Sequence, residues 1–326
     1  MEFSVNLKAD TLDDLMRGVL QRLVASTNWV TASRGRFTEE VGAVLHLTNS
    51  RARLSRSETR GKAFSPLGEW LWYLSGANDY AFVEYYVPTG YRDDAPDRTT
   101  VPNGYGERLA NLRGQNQLAN IIKLLEHKRT SRQAVIQLFD AGDVGRGYGV
   151  PCTCTLQFLV RDDRVHMVVN MRSNDAYLGL PHDVFAFTML QELVARAIGA
   201  DLGEYTHCVG SLHLYDEWHD KAKAFLGEAF QGTVPMPAMP EGEPWPAIRE
   251  LRRAERILRE GGQYSLASAS LDPYWQDLVR LLMAYRADKN KDLAGLRTLR
   301  GQMNSTTYRV FIDPRVDGLE DASRAA

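Results

Sequence analysis

The segment Gly149–Val160, GVPCTCTLQFLV, sets Cys152 directly after a proline at the mouth of an apolar run, with Cys154 two residues further on. Three roles are open to such a thiol. It can pack as a small hydrophobe. It can bind metal, although Cys-x-Cys with no evident third and fourth ligand is a weak zinc signal. It can act as a nucleophile if nearby arginines or another group activate it. Two further patterns could share a site with it. RSNDAYLGLPHD begins at Arg172, twenty residues on, and HLY sets His213 and Tyr215 two apart, on one side of a strand.

The elements that would position these residues can be read from pattern. DTLDDLMRGVLQRLV has helical spacing, with Leu12, Leu15, Val19, Leu20 and Leu23 on one side. GAVLHLTN is a strand candidate, and PLGEWLWYLSG reads as a buried helix stopped at Gly76. Residues 86–106, rich in Asp, Pro, Gly and Thr, read as a long loop, a length that is uncommon and often functional. RQAVIQLF, CTLQFLV and RVHMVVNM are strands, the last two joined by the turn RDD. LGLPHDVFAFTMLQELVARAIGA is apolar almost all round and so predicts a central helix, with Asp183 suited to its N-cap. THCVGSLHLYDEW is a further strand. From Glu241 charged amphipathic helices follow, with Trp275, Leu278, Leu282 and Tyr285 on one stripe.

The chain has 326 residues, 44% hydrophobic and 25% charged, with a formal net charge of -2. That balance carries no signature of a nucleic-acid coat, so functional arginines are expected in a local pocket. MEFSVNLKADTLDDLM has acids and no long apolar core, so no leader is expected, and no apolar run is long enough for a membrane span. Three cysteines do not make a disulfide framework, and a reducing cytoplasm is the simplest home.

Taken in order, PC-x4-QF from Pro151, RS-x-D-x2-LG-LP from Arg172 and G-x2-H-x-Y from Gly210 resemble the thymidylate synthase family, including its deoxycytidylate and cytidylate hydroxymethylase branch. The resemblance runs from Arg34 to Trp218. GEWLWYLSGAN is similar to a family helix that carries Glu69 and Trp72 into the active site. SRG holds Arg34, similar to a phosphate-binding arginine. YGER sets Tyr105 at the position of an active-site tyrosine. TSRQAV sets Arg132 in the segment that reaches the other subunit's nucleotide phosphate.

The resemblance implies a three-layer α/β (α+β) fold around a large mixed sheet, a catalytic domain over 1–240 and a helical extension over 241–326 packed on it. It implies a homodimer that shares Arg132 across its interface, with 5,10-methylenetetrahydrofolate as the one-carbon donor. Cys152 becomes the nucleophile that adds to C6 of a pyrimidine nucleotide, which makes C5 reactive. Arg172 favours the thiolate and, with Arg34, Arg132 and Ser173, binds the phosphate. His213 and Tyr215 bind the sugar, Gln133, Gln157 and Asn174 belong to the nucleotide site, and Asp175 contacts the pterin, with Trp72 on the cofactor side. Glu69 orders water and moves protons, its pKa expected to rise through burial.

Two departures refine the substrate. Thymidylate synthases carry Phe-Asn after LGLP, whereas this chain has His182-Asp183. An ionised carboxylate only accepts hydrogen bonds, so it repels O4 of uracil and suits the N4 amino group of cytosine. The loop before Tyr105 also lacks the tryptophans that enclose the C5-methylene intermediate, and Thr153 replaces the histidine that commonly follows the cysteine. Water capture, and hence hydroxymethylation of CMP or dCMP, is the expected outcome. Ala176 and Gln133 favour CMP, which suits a nucleoside-antibiotic pathway. The rivals are C5-methylation of dUMP or UMP and an inactive nucleotide-binding relative.

Overall fold

In the computed structural model residues 5–325 are described; Met1–Ser4, the start of the stretch read above as leader-free, lie outside them. The strands are β1 (Asn6–Ala9), β2 (Trp29–Ala32), β3 (Gly35–Leu47), β4 (Val135–Gln137), β5 (Thr153–Arg161), β6 (Arg164–Asp175) and β7 (Asp201–Tyr215). The helices are α1 (Leu12–Ala25), α2 (Phe64–Ser75), α3 (Tyr80–Tyr86), α4 (Tyr105–Asn111), α5 (Gln117–His127), α6 (Gly179–Ala197), α7 (His219–Gly227), α8 (Trp245–Arg259), α9 (Pro273–Lys289), α10 (Leu293–Gln302) and α11 (Arg309–Ala325). The strands form one sheet in the order β1-β3-β7-β6-β5-β4, with β2 paired to β3. β1–β3 and β6–β7 are parallel and the other pairs antiparallel, so the sheet is mixed, as expected. Among the described residues no helix is long and apolar enough to cross a membrane.

Local chemistry accounts for the main elements. Thr11 caps α1 by accepting from the Asp14 amide at 3.0 Å. Asp162 and Asp163 take positive φ in the β5–β6 turn, where the twist of a tight hairpin calls for it. α6 is buried along most of its length and packs on β6, β7 and α2. Its start differs from expectation. Asp183 sits in the second turn and caps nothing. Asp175 instead fixes the turn that leads into the helix, its Oδ1 accepting from the amides of Tyr177 and Leu178 at 2.7 Å each. Buried Arg60 secures the same turn by donating to the carbonyls of Tyr177 at 2.6 Å and Leu178 at 2.7 Å.

A kink crosses the sheet and decides what the site contains. Register is interrupted at Gly42, Gly210 and Arg172 on the three adjacent strands β3, β7 and β6. Gly42 has φ 74°, and a Cβ on Gly210 would lie 2.9 Å from the Arg172 carbonyl. On β7 the fully buried alternation runs Tyr205, His207 and Val209 before the kink, then passes to Leu212 and Leu214. On β6 it runs Val165, Met167, Val169 and Met171, then passes to Asn174. One residue left unpaired at the same level in each strand exchanges the faces while the strands keep their register. Asn174 thereby turns inward, while Asp175 stays opposite His213 in register.

The C-terminal helices lie against the same core. Trp275, Leu278 and Leu282 are buried on α9, and α8 and α9 both pack on α2. Glu255 accepts from the Tyr86 hydroxyl at 3.0 Å, and the Tyr285 hydroxyl donates to the Tyr85 carbonyl at 2.7 Å.

The kink makes Gly210 intolerant of a side chain. Gly210→Ala is expected to cost about 1–3 kcal/mol of stability through overpacking, read by urea unfolding. It should also displace Arg172. Unchanged stability would remove the close approach as the reason for the glycine.

Candidate active site

Cys152 stands where the chain enters β5, beside the kink. Arg172, on β6, donates from Nε to the Pro151 carbonyl and from Nη2 to the Val150 carbonyl, both at 2.9 Å. These bonds fix the loop ahead of the cysteine and hold Nη2 3.7 Å from Sγ. Tyr105 fixes the other side, its hydroxyl accepting from the Thr153 amide at 3.1 Å. Burial pushes the Cys152 thiol above its ordinary pKa; the Arg172 guanidinium opposes this and Asp183 adds to it. The expected thiolate is therefore not the resting form. Arg172 lowers the thiol pKa without overcoming desolvation.

Glu69 is the inner carboxylate, on α2. His182 Nδ1 lies 2.7 Å from Oε2 and Tyr91 donates to Oε1, and the nearby Tyr73 hydroxyl further favours the carboxylate. Burial raises its pKa, but these hydrogen bonds and the His182 interaction outweigh burial and hold Glu69 below its usual range. The rise expected from burial alone is thus corrected. His182 itself is kept neutral by burial. Its Nδ1–H donates to Glu69, and Nε2 accepts from the Ser65 hydroxyl at 3.2 Å.

Asp183 behaves in the opposite way. Burial, together with the negative charge of Glu69, pushes it well above the ordinary carboxylate range. The shift favours the protonated form over the acceptor-only carboxylate expected. Asn174 Nδ2 donates to its Oδ2 at 2.7 Å, and Oδ1 has no partner in the chain and is not sealed off. Asn174 is buried between Asp183 and His207, so it acts on a nucleotide only through Asp183.

The remaining residues divide. Arg34, in the β2–β3 turn, pairs with Asp94 at 3.2 Å, and its charge is felt by Cys152 and Tyr215. Ser173 follows Arg172 on β6. The rings of His213 and Tyr215 meet at 4.9 Å, with Phe37 beside both. Asp175 keeps Oδ2 free of protein donors, which fits a carboxylate awaiting an N–H from a pterin. Trp72 does not fit that role: it is fully buried, its ring against Tyr91 at 5.1 Å, and so supports the tyrosine that holds Glu69. Gln157 alternates with buried Leu156 and Phe158 and donates to the Arg132 carbonyl at 2.9 Å, on the sheet face opposite those core residues. Arg132 and Gln133 are exposed beside it. Within one chain these three are not brought to Cys152. Sequence reasoning assigned no role to His182, Tyr91, Tyr73, His207 or Tyr205. Of these, His182 and Tyr73 stood in recognised motifs.

The thymidylate synthase family model matches residues 48–240. The chain belongs to the thymidylate synthase family. It is 29% identical over 168 residues to a thymidylate synthase of Listeria innocua, covering 47% of this chain and 53% of that protein. It is 34% identical over 185 residues to a deoxyuridylate hydroxymethyltransferase of Pseudomonas phage M6, covering 56% of this chain and 52% of the relative. The chain thus spans about half the length of the curated relatives it matches.

The thiol's state can be read by alkylation. Iodoacetamide labelling of Cys152, followed by peptide mass spectrometry, should reach half its maximal rate at a pH above that of an ordinary cysteine. Arg172→Ala should move this midpoint still higher, because the guanidinium is the largest influence lowering it. A midpoint unchanged in the variant would mean that Arg172 does not act on the thiol.

Proposed function

We propose that this protein is a folate-dependent pyrimidine-nucleotide C5-hydroxymethyltransferase acting on a cytosine nucleotide, CMP or dCMP. One observation carries the reading. Two carboxyl groups of one cleft are driven apart, Asp183, which meets one amide, toward its protonated form and Glu69, which meets His182 and Tyr91, toward its ionised form. Opposed pKa shifts of this kind assign an acid and a base.

In this reading Arg34 and Arg172 hold the phosphate, with Ser173, and His213 and Tyr215 hold the sugar. The Cys152 thiol gives up its proton to solvent, and the sulfur bonds to C6. The C5=C6 pair moves to C4–C5, and N3 takes the proton of Asp183. This leaves a neutral enamine whose C5 is nucleophilic. Protonation at N3 suits cytosine, whose N3 is an acceptor, and the Asp183 carboxylate left behind accepts from N4 and N3. Bound against Asp175, the folate supplies the one-carbon unit. Glu69, already ionised, then takes a proton from the water that adds at the new carbon. His182 and Tyr91 keep it ionised for that step. The phage hydroxymethyltransferase supports water addition as the ending.

A uracil nucleotide is the second reading, favoured by that phage relative being a deoxyuridylate hydroxymethyltransferase. Ala176, small, fully buried and donating its amide to the His213 carbonyl at 2.8 Å, supports room beside the sugar and hence CMP. Three unpaired cysteines fit a cytoplasmic enzyme.

Mass spectrometry of products from methylenetetrahydrofolate and an equal mixture of CMP, dCMP, UMP and dUMP tests the assignment. A CH2O gain on a cytidine nucleotide is expected. A CH2 gain on a uridine nucleotide would overturn it. Cys152→Ala should abolish turnover and leave nucleotide binding largely intact, and Asp183→Asn should shift preference toward uracil.

The same reading makes the enzyme a homodimer that shares Arg132. The sheet face bearing Gln157, Leu159, Val168, Cys208 and Val44 is only half-buried, which supports a partner there. Mixing Cys152→Ala with Arg132→Ala subunits should restore activity absent from either alone. Failure to complement, with both variants folded, would exclude a shared site.

A further inference from the structure

Behind Asp183 runs a chain of buried polar groups that the chemistry above does not use. The Tyr205 hydroxyl lies 2.7 Å from His207 Nδ1, and His207 Nε2 lies 3.1 Å from Asn174 Oδ1. Asn174 Nδ2 lies 2.7 Å from Asp183 Oδ2. Tyr205 and His207 have no exposed surface, and Asn174 almost none. These contacts are direct, so each atom's role as donor or acceptor fixes that of the next.

Only two arrangements satisfy every member. In the first, Tyr205 O–H donates to Nδ1, Nε2–H donates to Oδ1 of Asn174, and Nδ2–H donates to Oδ2 of Asp183. Any proton carried by Asp183 then rests on Oδ1, the oxygen left without a partner. In the second, every bond is reversed: Nδ1–H donates to Tyr205, the Asn174 amide is flipped, and Asp183 donates from Oδ2. Oδ1 is then an acceptor. The Asn174 orientation in the structure is the first. Burial holds His207 at a pKa of about 3, so a neutral, single-donor imidazole is its form in either arrangement.

We propose that Tyr205, His207 and Asn174 are positioning residues that form a one-way relay, presenting Asp183 Oδ1 to the base as a donor and thereby selecting cytosine over uracil at N3. The proposal rests on the cytosine reading of the site. Cytosine N3 accepts a hydrogen bond, and uracil N3–H does not. The base is then read with the help of three side chains that never touch it. A plain carboxyl at position 183 lacks this bias, because its proton can sit on either oxygen.

The test uses the full chain and has two readouts. Imidazole 15N shifts in labelled enzyme without nucleotide should show His207 neutral with its proton on Nε2. Turnover of CMP against UMP, and of dCMP against dUMP, gives the base preference. Tyr205→Phe removes one hydroxyl and lets the imidazole proton move, so the cytosine preference should fall by roughly tenfold, in line with mispairing one buried polar group. His207→Leu should do the same, while His207→Gln, whose amide can donate to Asn174, should retain most of the preference. Tyr205→Phe guards against a leucine variant that fails to fold. A proton on Nδ1, or a preference unmoved by Tyr205→Phe, overturns the relay. Wild-type preference for UMP or dUMP sinks the cytosine reading instead, and the tautomer measurement still decides the relay's direction.

Discussion

The close approach of β6 and β7 at Arg172 and Gly210 is the constraint on which this site depends. An ordinary sheet keeps one alternation from end to end. Here the strands break step on three neighbouring strands at one level, and each is buried on a different parity beyond it. Without the break, Asn174 would face away from His207, and Asp183 would lose the donor that orients it. The same point sets Arg172, whose guanidinium clasps the two carbonyls before Cys152. One backbone irregularity therefore positions both the nucleophile and the group that reads the base.

Desolvation supplies the rest, and it acts differently on each ionisable group. It raises Cys152 and Asp183 and would raise Glu69. Hydrogen-bond donors decide whether it wins. Glu69 has His182, Tyr91 and Tyr73 and stays ionised. Asp183 has a single amide and a neighbouring negative charge, and takes a proton. Two carboxyls in nearly the same surroundings are separated by the number of donors aimed at them. His182 matters twice, since it holds Glu69 ionised while burial keeps the imidazole neutral, so the pair places one negative charge in the cleft.

The C-terminal helices contribute to this indirectly. They bury the outer side of α2, the helix that carries Glu69, and tie α3 to the same surface through Tyr86 and Glu255. A carboxylate whose pKa depends on two directed hydrogen bonds, from His182 and Tyr91, needs a rigid helix beneath it.

Much was legible in the residues themselves. Hydrophobic spacing gave α1, α2 and α6, turn chemistry gave the β5–β6 hairpin, and the apolar stripe of α9 is the face it buries. Short strands such as β1 and β2 carry too few residues for a periodic signal. The motifs identified Cys152, Arg172, Glu69, Asp183, His213 and Tyr215, because residue type and order survive without coordinates. What they could not yield was the sign of a pKa shift, since that depends on which donors reach a buried group from distant parts of the chain. Tyr91 comes from a loop, His182 from a helix and Asn174 from across a kink. Trp72, placed by motif beside the cofactor, is buried behind Tyr91 instead. Sequence determined which chemical groups this protein has for the reaction; tertiary structure alone decided which are charged and which way their hydrogen bonds point, because both follow from contacts between residues far apart in the chain.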